Sequence, residues 1–272
     1  MKKLSFSNAM LWFGMVFLYV PMLIMIIYSF NGSKLVTVWG VFSVKWYGEL
    51  FDDQQLLDSV FISLKIAFFS AFTAVFLGTL TAFVMTRFKA SFGKFTLSTM
   101  VTAPLVMPEV ITGLSLMLLF VAMSDMLGWP AERGVLTIWI AHSTFCAAYV
   151  AVVVSTRLRE LDRSIEEAAL DLGATPFKTF IFITLPMISP SLIAGWFLSF
   201  SLSLDDLVIA SFVSGPGATT LPMTVFSSVR LGVSPKINAL AAIMIMTVSL
   251  LALLFWYLSR RKEKRERMIQ VS

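Results

Sequence analysis

Six apolar runs, each long enough to cross a lipid bilayer, constrain this chain more than anything else in it. They fall at about 10–30, 62–86, 97–124, 135–155, 190–213 and 238–258 of 272 residues, and a helical span needs roughly 20. In hydrocarbon every backbone N–H and C=O must find a partner within the protein, which leaves helices or a closed barrel. Barrel strands alternate in polarity over about ten residues; these runs are continuous. The expectation is an all-α polytopic membrane protein, six transmembrane helices in one domain spanning 1–272. A chain with 58% hydrophobic and 14% charged residues is too apolar for a soluble domain of this length. The first run follows Met1-Lys2-Lys3 and is too long for the core of a cleaved signal, so it reads as an uncleaved anchor.

Lys and Arg set the orientation, because cytoplasmic loops carry the excess. With the N-terminus inside, fifteen of the 21 basic residues fall on the cytoplasmic side, six of them in the tail from Arg260 to Arg267. Both termini are then cytoplasmic. The tail is a topology signal before it is a lipid site, and the net charge of +5 gives no reason to expect nucleic acid. One Cys (Cys146) and one His (His142) allow no internal disulfide and no metal framework.

The longest cytoplasmic loop, 157–187, is polar and patterned. Leu158, Leu161, Ile165, Ala169 and Leu172 recur at helical spacing, with charged residues on the other faces. Gly173 stands where a left-handed residue would close that helix. Thr175-Pro176 reads as an N-cap and first helical position, and Leu185-Pro186 as the end of a short second helix. Ser189-Pro190 repeats the cap signal to begin the fifth span. Physics predicts two short helices joined by a tight turn, either a docking element or a membrane-surface element.

Acidic residues inside the apolar runs mark a second region. Asp205 and Asp206 lie about 15 residues into the fifth span, ~22 Å along a helix. A carboxylate at that depth costs roughly 2.5 kcal/mol or more unless it faces water or a partner. Ser199, Ser203 and Asp206 share one helical stripe; Ser201 and Asp205 share another. The stripes are expected to line a polar pathway whose carboxylates attract a cation; the other possibility is bonding to neighbouring helices. In the third span, Pro104 and Pro108 each remove a backbone donor and are expected to break the helix beside Glu109. Glu109 is then either a pathway carboxylate or a partner for freed amides. Outside, Trp46 and Tyr47 with nearby carboxylates suit an alkyl ammonium by cation–π attraction, or belong to an interfacial aromatic belt.

Other classes leave weaker traces. An ion-coupled transporter would usually carry internal repeats, and no clear repeat is visible. His142 and Cys146 at i, i+4 could meet as in an intramembrane enzyme, but no third group orients the His, so both read as core packing. Phe92-Gly93-Lys94-Phe95-Thr96 lacks the first glycine and adjacent hydroxyl of a phosphate-cradling loop. ATP hydrolysis, if it drives this protein, belongs to another subunit.

Glu167-Ala168-Ala169, Gly173 four residues on, and Ile183-Thr184-Leu185-Pro186 after nine more residues resemble the EAA loop of binding-protein-dependent ABC importer permeases. The resemblance implies a type I ABC importer permease fold with a cytoplasmic coupling helix-turn-helix. It also implies that Glu167, Ala168, Ala169, Gly173 and Pro176 serve docking on an ATPase. Ala103-Pro104-Leu105-Val106-Met107-Pro108, SLSLDDLVIASFVSGPGATTLP at 201–222 and SSVRLGVSPKINALA at 227–241 resemble the smaller membrane subunit of spermidine/putrescine permeases, closest to the putrescine system. That likeness implies a permease subunit in a bacterial inner membrane, importing a polyamine. Its partners would be a homologous second permease subunit, two ATPase subunits holding ATP and Mg, and a periplasmic polyamine-binding protein. This chain would bind no cofactor itself. Asp205, Asp206, Ser203, Glu109, Trp46 and Tyr47 are the candidate pathway residues. An importer of another organic cation or of iron is the alternative.

Overall fold

The computed structural model describes residues 6–34, 38–88, 91–232 and 234–250, with Leu253 and Tyr257 beyond them. The basic tail, Lys2, Lys3, Lys89 and most of the expected sixth span past 250 lie outside the described residues. The described residues are helical apart from loops and one isolated antiparallel bridge, Asn31 to Phe42. Five helices are long and apolar enough to cross a membrane, and Pro235–Leu250 is a shorter apolar one.

The chain forms two compact units. The first, Met1–Leu57 with Val225–Ser272, holds α1 (Phe6–Tyr28), the short α2 (Lys45–Phe51), most of α11 (Leu221–Leu231) and α12 (Pro235–Leu250). No residue of α1 is buried. The loop after α1 is knit by polar contacts: the buried Trp46 indole N–H donates to Asn31 O at 2.6 Å, and the Tyr47 hydroxyl bonds Ser29 Oγ at 2.7 Å. Lys236 Nζ pairs with Asp53 Oδ2 at 3.1 Å. Partial burial pushes the Asp53 carboxyl up, but the Lys236 bond, the Leu56 amide and the Lys236 charge together hold it below its ordinary value.

The second unit, Asp58–Thr224, is built around α6 (Val135–Glu160). That helix is apolar on most faces and more deeply buried than the other long helices. Packed with it are α3 (Gln54–Arg87), α4 (Phe92–Val106), α5 (Glu109–Leu127), α9 (Leu185–Asp205) and α10 (Val208–Val213). Small residues let the backbones close in, as they do between helices in lipid. A Cβ on Gly78 of α3 would lie 2.7 Å from Val150 Cβ and 2.8 Å from Ala147 O; one on Gly195 of α9 would lie 3.3 Å from Val150 Cγ1. Val150, fully buried, is therefore clasped between two glycines from different helices.

Proline behaves differently from expectation at three places. Pro104 sits inside α4 without ending it; the break comes at Met107-Pro108 alone. Met107 is extended (φ −73, ψ 138), as a residue before proline tends to be, and Pro108 O accepts from the Ile111 and Thr112 amides to open α5. Leu185-Pro186 does not stop the loop's second helix. A π segment, Phe180–Thr184, joins α8 (Pro176–Thr179) to α9, and the Leu185 N–H reaches back five residues to Phe180 O. The wider turn gives the Pro186 ring room that an α turn denies it. Ser189 is likewise no cap: its Oγ donates at 2.8 Å to Pro186 O, the carbonyl that Pro190 leaves without an amide. The helix from Pro176 to Asp205 thus runs 30 residues without interruption.

Candidate functional site

Two helix breaks meet at one cavity in the second unit. The α4–α5 break contributes Pro104, Met107 and Glu109; the α9–α10 break contributes Asp205, Asp206 and Leu207; Phe145 and Tyr149 come from α6. The cavity measures about 240 Å³, below the ~300–1,000 Å³ of sites for drug-sized ligands, so it suits a slender cargo. Irregular backbone at this depth survives in lipid where it lines such a cavity.

The two aspartates, adjacent in sequence, have separate tasks. Asp206 is 8% exposed. Its backbone is extended (φ −66, ψ 123), and its Oδ1 and Oδ2 accept the Ile209 and Ala210 amides at 3.3 and 2.7 Å. Oδ2 also lies 3.1 Å from His142 Nε2, while His142 Nδ1 meets Ser203 Oγ at 2.7 Å. An ionised carboxylate only accepts, so Nε2 donates to Asp206 and, in neutral imidazole, Nδ1 accepts from Ser203. Asp206 and Ser203, which share a helical stripe, thus both meet the imidazole of His142. Both are held by His142 in a buried network, although Asp206 still forms part of the cavity wall.

His142 is correspondingly more than core filling. Its third group escapes a reading of the sequence because Asp206 lies 64 residues away and no spacing rule links α6 to α9. The three residue types of a hydrolytic triad do meet here, but the Ser203 hydroxyl is buried and absent from the cavity lining.

Asp205 and Glu109, in contrast, are exposed and line the cavity. Among the described residues no basic side chain pairs with either. Two carboxylates without counter-ions and the rings of Phe145 and Tyr149 can take an alkyl ammonium by charge pairing and cation–π contact. Trp46 and Tyr47 belong to the first unit, where Trp46 is buried and donates to Asn31 O and the Tyr47 hydroxyl bonds Ser29.

The cytoplasmic loop forms its own site. The expected first helix is split: Leu158 lies inside the end of α6, Leu161 is extended, and α7 covers Arg163–Asp171. Asp162 caps it, accepting the Ser164 amide at 2.9 Å, and the Ser164 amide and hydroxyl hold its carboxyl below the ordinary value. Gly173 (φ +87) closes α7 in the left-handed region, with Gly173 N–H to Leu170 O and Ala174 N–H to Ala169 O. Thr175 then caps α8 with Pro176 in its first turn. Glu167 and Ala168 face outward, Ala169 inward. Leu172 (89% exposed) and Phe177 (74%) project from the turn, apolar surface of the kind that marks an interaction site.

The family described as binding-protein-dependent transport system inner membrane component matches residues 74–267. The "Putrescine transport system permease protein PotI" of Escherichia coli (strain K12) is 63% identical over 252 residues, 93% of this chain and 90% of that protein. The "Spermidine/putrescine transport system permease protein PotC" of the same strain is 38% identical over 248 residues, 91% of each. Among solved structures, a chain of a bacterial ABC transporter involved in import of the acidic polysaccharide alginate superposes with a TM-score of 0.71 at 16% identity, covering 93% of this chain and 94% of that one. The bacterial alginate transporter in complex with a pentasaccharide-bound periplasmic protein gives 0.71 at 18%, covering 92% and 90%. At such identities the likeness is one of fold.

Proposed function

The chain belongs to the family of binding-protein-dependent transport system inner membrane components, and from that we propose that it is the permease subunit of an importer for putrescine or a closely related linear polyamine. It is a transport subunit of a multi-pass inner-membrane complex. The cargo arrives on a periplasmic binding protein and crosses between this chain and a second, homologous permease subunit. Two ATPase subunits hold ATP and Mg and close on the loop at 157–187, with Glu167, Ala168 and the exposed Leu172 and Phe177 at the contact. Ala169, Gly173 and Pro176 shape that knob. Both termini lie on the ATPase side.

The observation that carries the cargo reading is the meeting of two broken helices at a narrow cavity with aromatic walls and two carboxylates that no described basic side chain pairs. Putrescine offers an ammonium at each end of a short methylene chain; amines of this kind keep their protons well above neutral pH. One end can pair with Asp205 or Glu109 while the methylenes lie against Phe145 and Tyr149. Relatives named for putrescine and spermidine favour this cargo over iron or an unrelated organic cation. Alternating access then consists of opening this cavity first outward and then inward.

The test is uptake of labelled putrescine by the complete complex in proteoliposomes, with and without ATP and the binding protein. Asp205→Asn is expected to lower the initial rate about tenfold or more, the scale of one hydrogen bond to a charged group, with Glu109→Gln smaller in effect. Normal uptake by Asp205→Asn would remove that residue from the pathway.

A further inference from the structure

Glu166 and Glu167 stand side by side on α7 and face opposite ways. Glu167 is exposed. Glu166 turns inward: its Oε1 accepts from Arg87 Nη2 at 2.9 Å and from Thr184 Oγ1 at 2.9 Å. The Arg87 and Glu166 side chains are only 10% and 18% exposed. Arg87 belongs to the last turn of α3, and Thr184 is the fully enclosed last residue of the π segment beneath α9. A further contact runs parallel, Arg163 Nη2 to Thr86 O at 2.9 Å.

These bonds matter because α7 has little else to hold it. Ala169 is its one buried residue, so apolar packing cannot pull the neighbouring helices along. Charge-assisted bonds of this length are directional and strong. The π segment also sets which way Thr184 points, and such segments recur at functional sites. Arg87 Nε is buried with no hydrogen-bond partner among the described residues, and a buried donor without a partner calls for a reason.

We infer that Glu166 is the joint that passes displacement of the α7 knob into α3 and α9. It is a positioning residue for transport, distinct from the outward residues that touch the ATPase. The inference rests on the reading of α7 as the docked element and not on the identity of the cargo.

The test uses the complete complex in proteoliposomes and reads ATPase co-purification, basal ATP hydrolysis, hydrolysis stimulated by the loaded binding protein, and putrescine uptake. Glu166→Gln keeps the size and the Thr184 bond; Arg87→Gln removes the charge from the other side. Both are expected to retain co-purification and basal hydrolysis while uptake per ATP and binding-protein stimulation fall about tenfold, within the usual range of coupling between sites. Arg87→Lys should retain most of the coupling, and the exchange Arg87→Glu with Glu166→Arg should restore part of it. Parallel loss of co-purification and hydrolysis would make the joint merely structural and overturn the inference, as would unchanged coupling. If the wild-type complex is stimulated by its binding protein yet takes up no putrescine, the cargo reading fails alone and the stimulation ratio still decides about Glu166.

Discussion

Asp206→Ala is expected to prevent accumulation of folded protein in the membrane, an effect larger than loss of a pathway charge. The substitution removes the acceptor for three donors at once: His142 Nε2 and the amides of Ile209 and Ala210. Ile209 and Ala210 lie in the core cluster formed with Ile66, Phe120 and Ile138, so their amides lose a buried acceptor. Breaking a buried, paired group of this kind costs on the order of 3–5 kcal/mol, against a total stability of about 5–15 kcal/mol for ordinary domains. Asp206→Asn should be milder, since its amide oxygen still accepts one backbone N–H and the imidazole can change tautomer. The check is membrane accumulation and the thermal unfolding midpoint in detergent. Normal accumulation of Asp206→Ala together with failed uptake would reverse the assignment and make Asp206 the cargo residue.

The second large effect is expected at Gly78, far from any charge. In Gly78→Ala the new methyl would meet Ala147 O, a backbone atom in the middle of α6 that cannot rotate away. The helices must part, and overpacking of this kind costs about 1–3 kcal/mol; here the upper end is expected because Val150 has Gly195 behind it. Gly195→Ala meets only the Val150 side chain at 3.3 Å and should lower the unfolding midpoint less. A midpoint for Gly78→Ala equal to wild type would show that α3 and α6 are not held at this crossing.

Features encoded by neighbouring residues are legible in the amino-acid sequence. Apolar length announces helices long enough to cross a membrane, and Gly173 and Thr175-Pro176 announce the turn of the loop because caps depend on residues a few positions apart. Legibility fails where partners are distant or where a local rule has an exception. Helical geometry points Asp205 and Asp206 about 100° apart, but only α6 decides which of them meets His142. Glu166 carries no mark that sets it apart from Glu167, since Arg87 and Thr184 come from opposite sides of it in the chain. Trp46 resembles a ligand aromatic because the residues around it are acidic; the Asn31 carbonyl that buries it leaves no trace in the sequence. Pro186 reads as a stop because propensity assumes α turns, and a π turn removes the clash on which that reading depends.

The uninterrupted helix from Pro176 to Asp205 has a mechanical consequence. Thirty residues make a shaft roughly 45 Å long at 1.5 Å per residue, with Phe177 near one end and the cavity-facing Asp205 at the other. If the loop at 157–187 docks as proposed, displacement entering α8 directly or through Glu166 and Thr184 would reach Asp205 along one continuous helix, with the extended Asp206 marking its end. On the proposed function, rotation of that helix would turn the Asp205 carboxylate toward or away from the cavity it lines, so that affinity and access would change together.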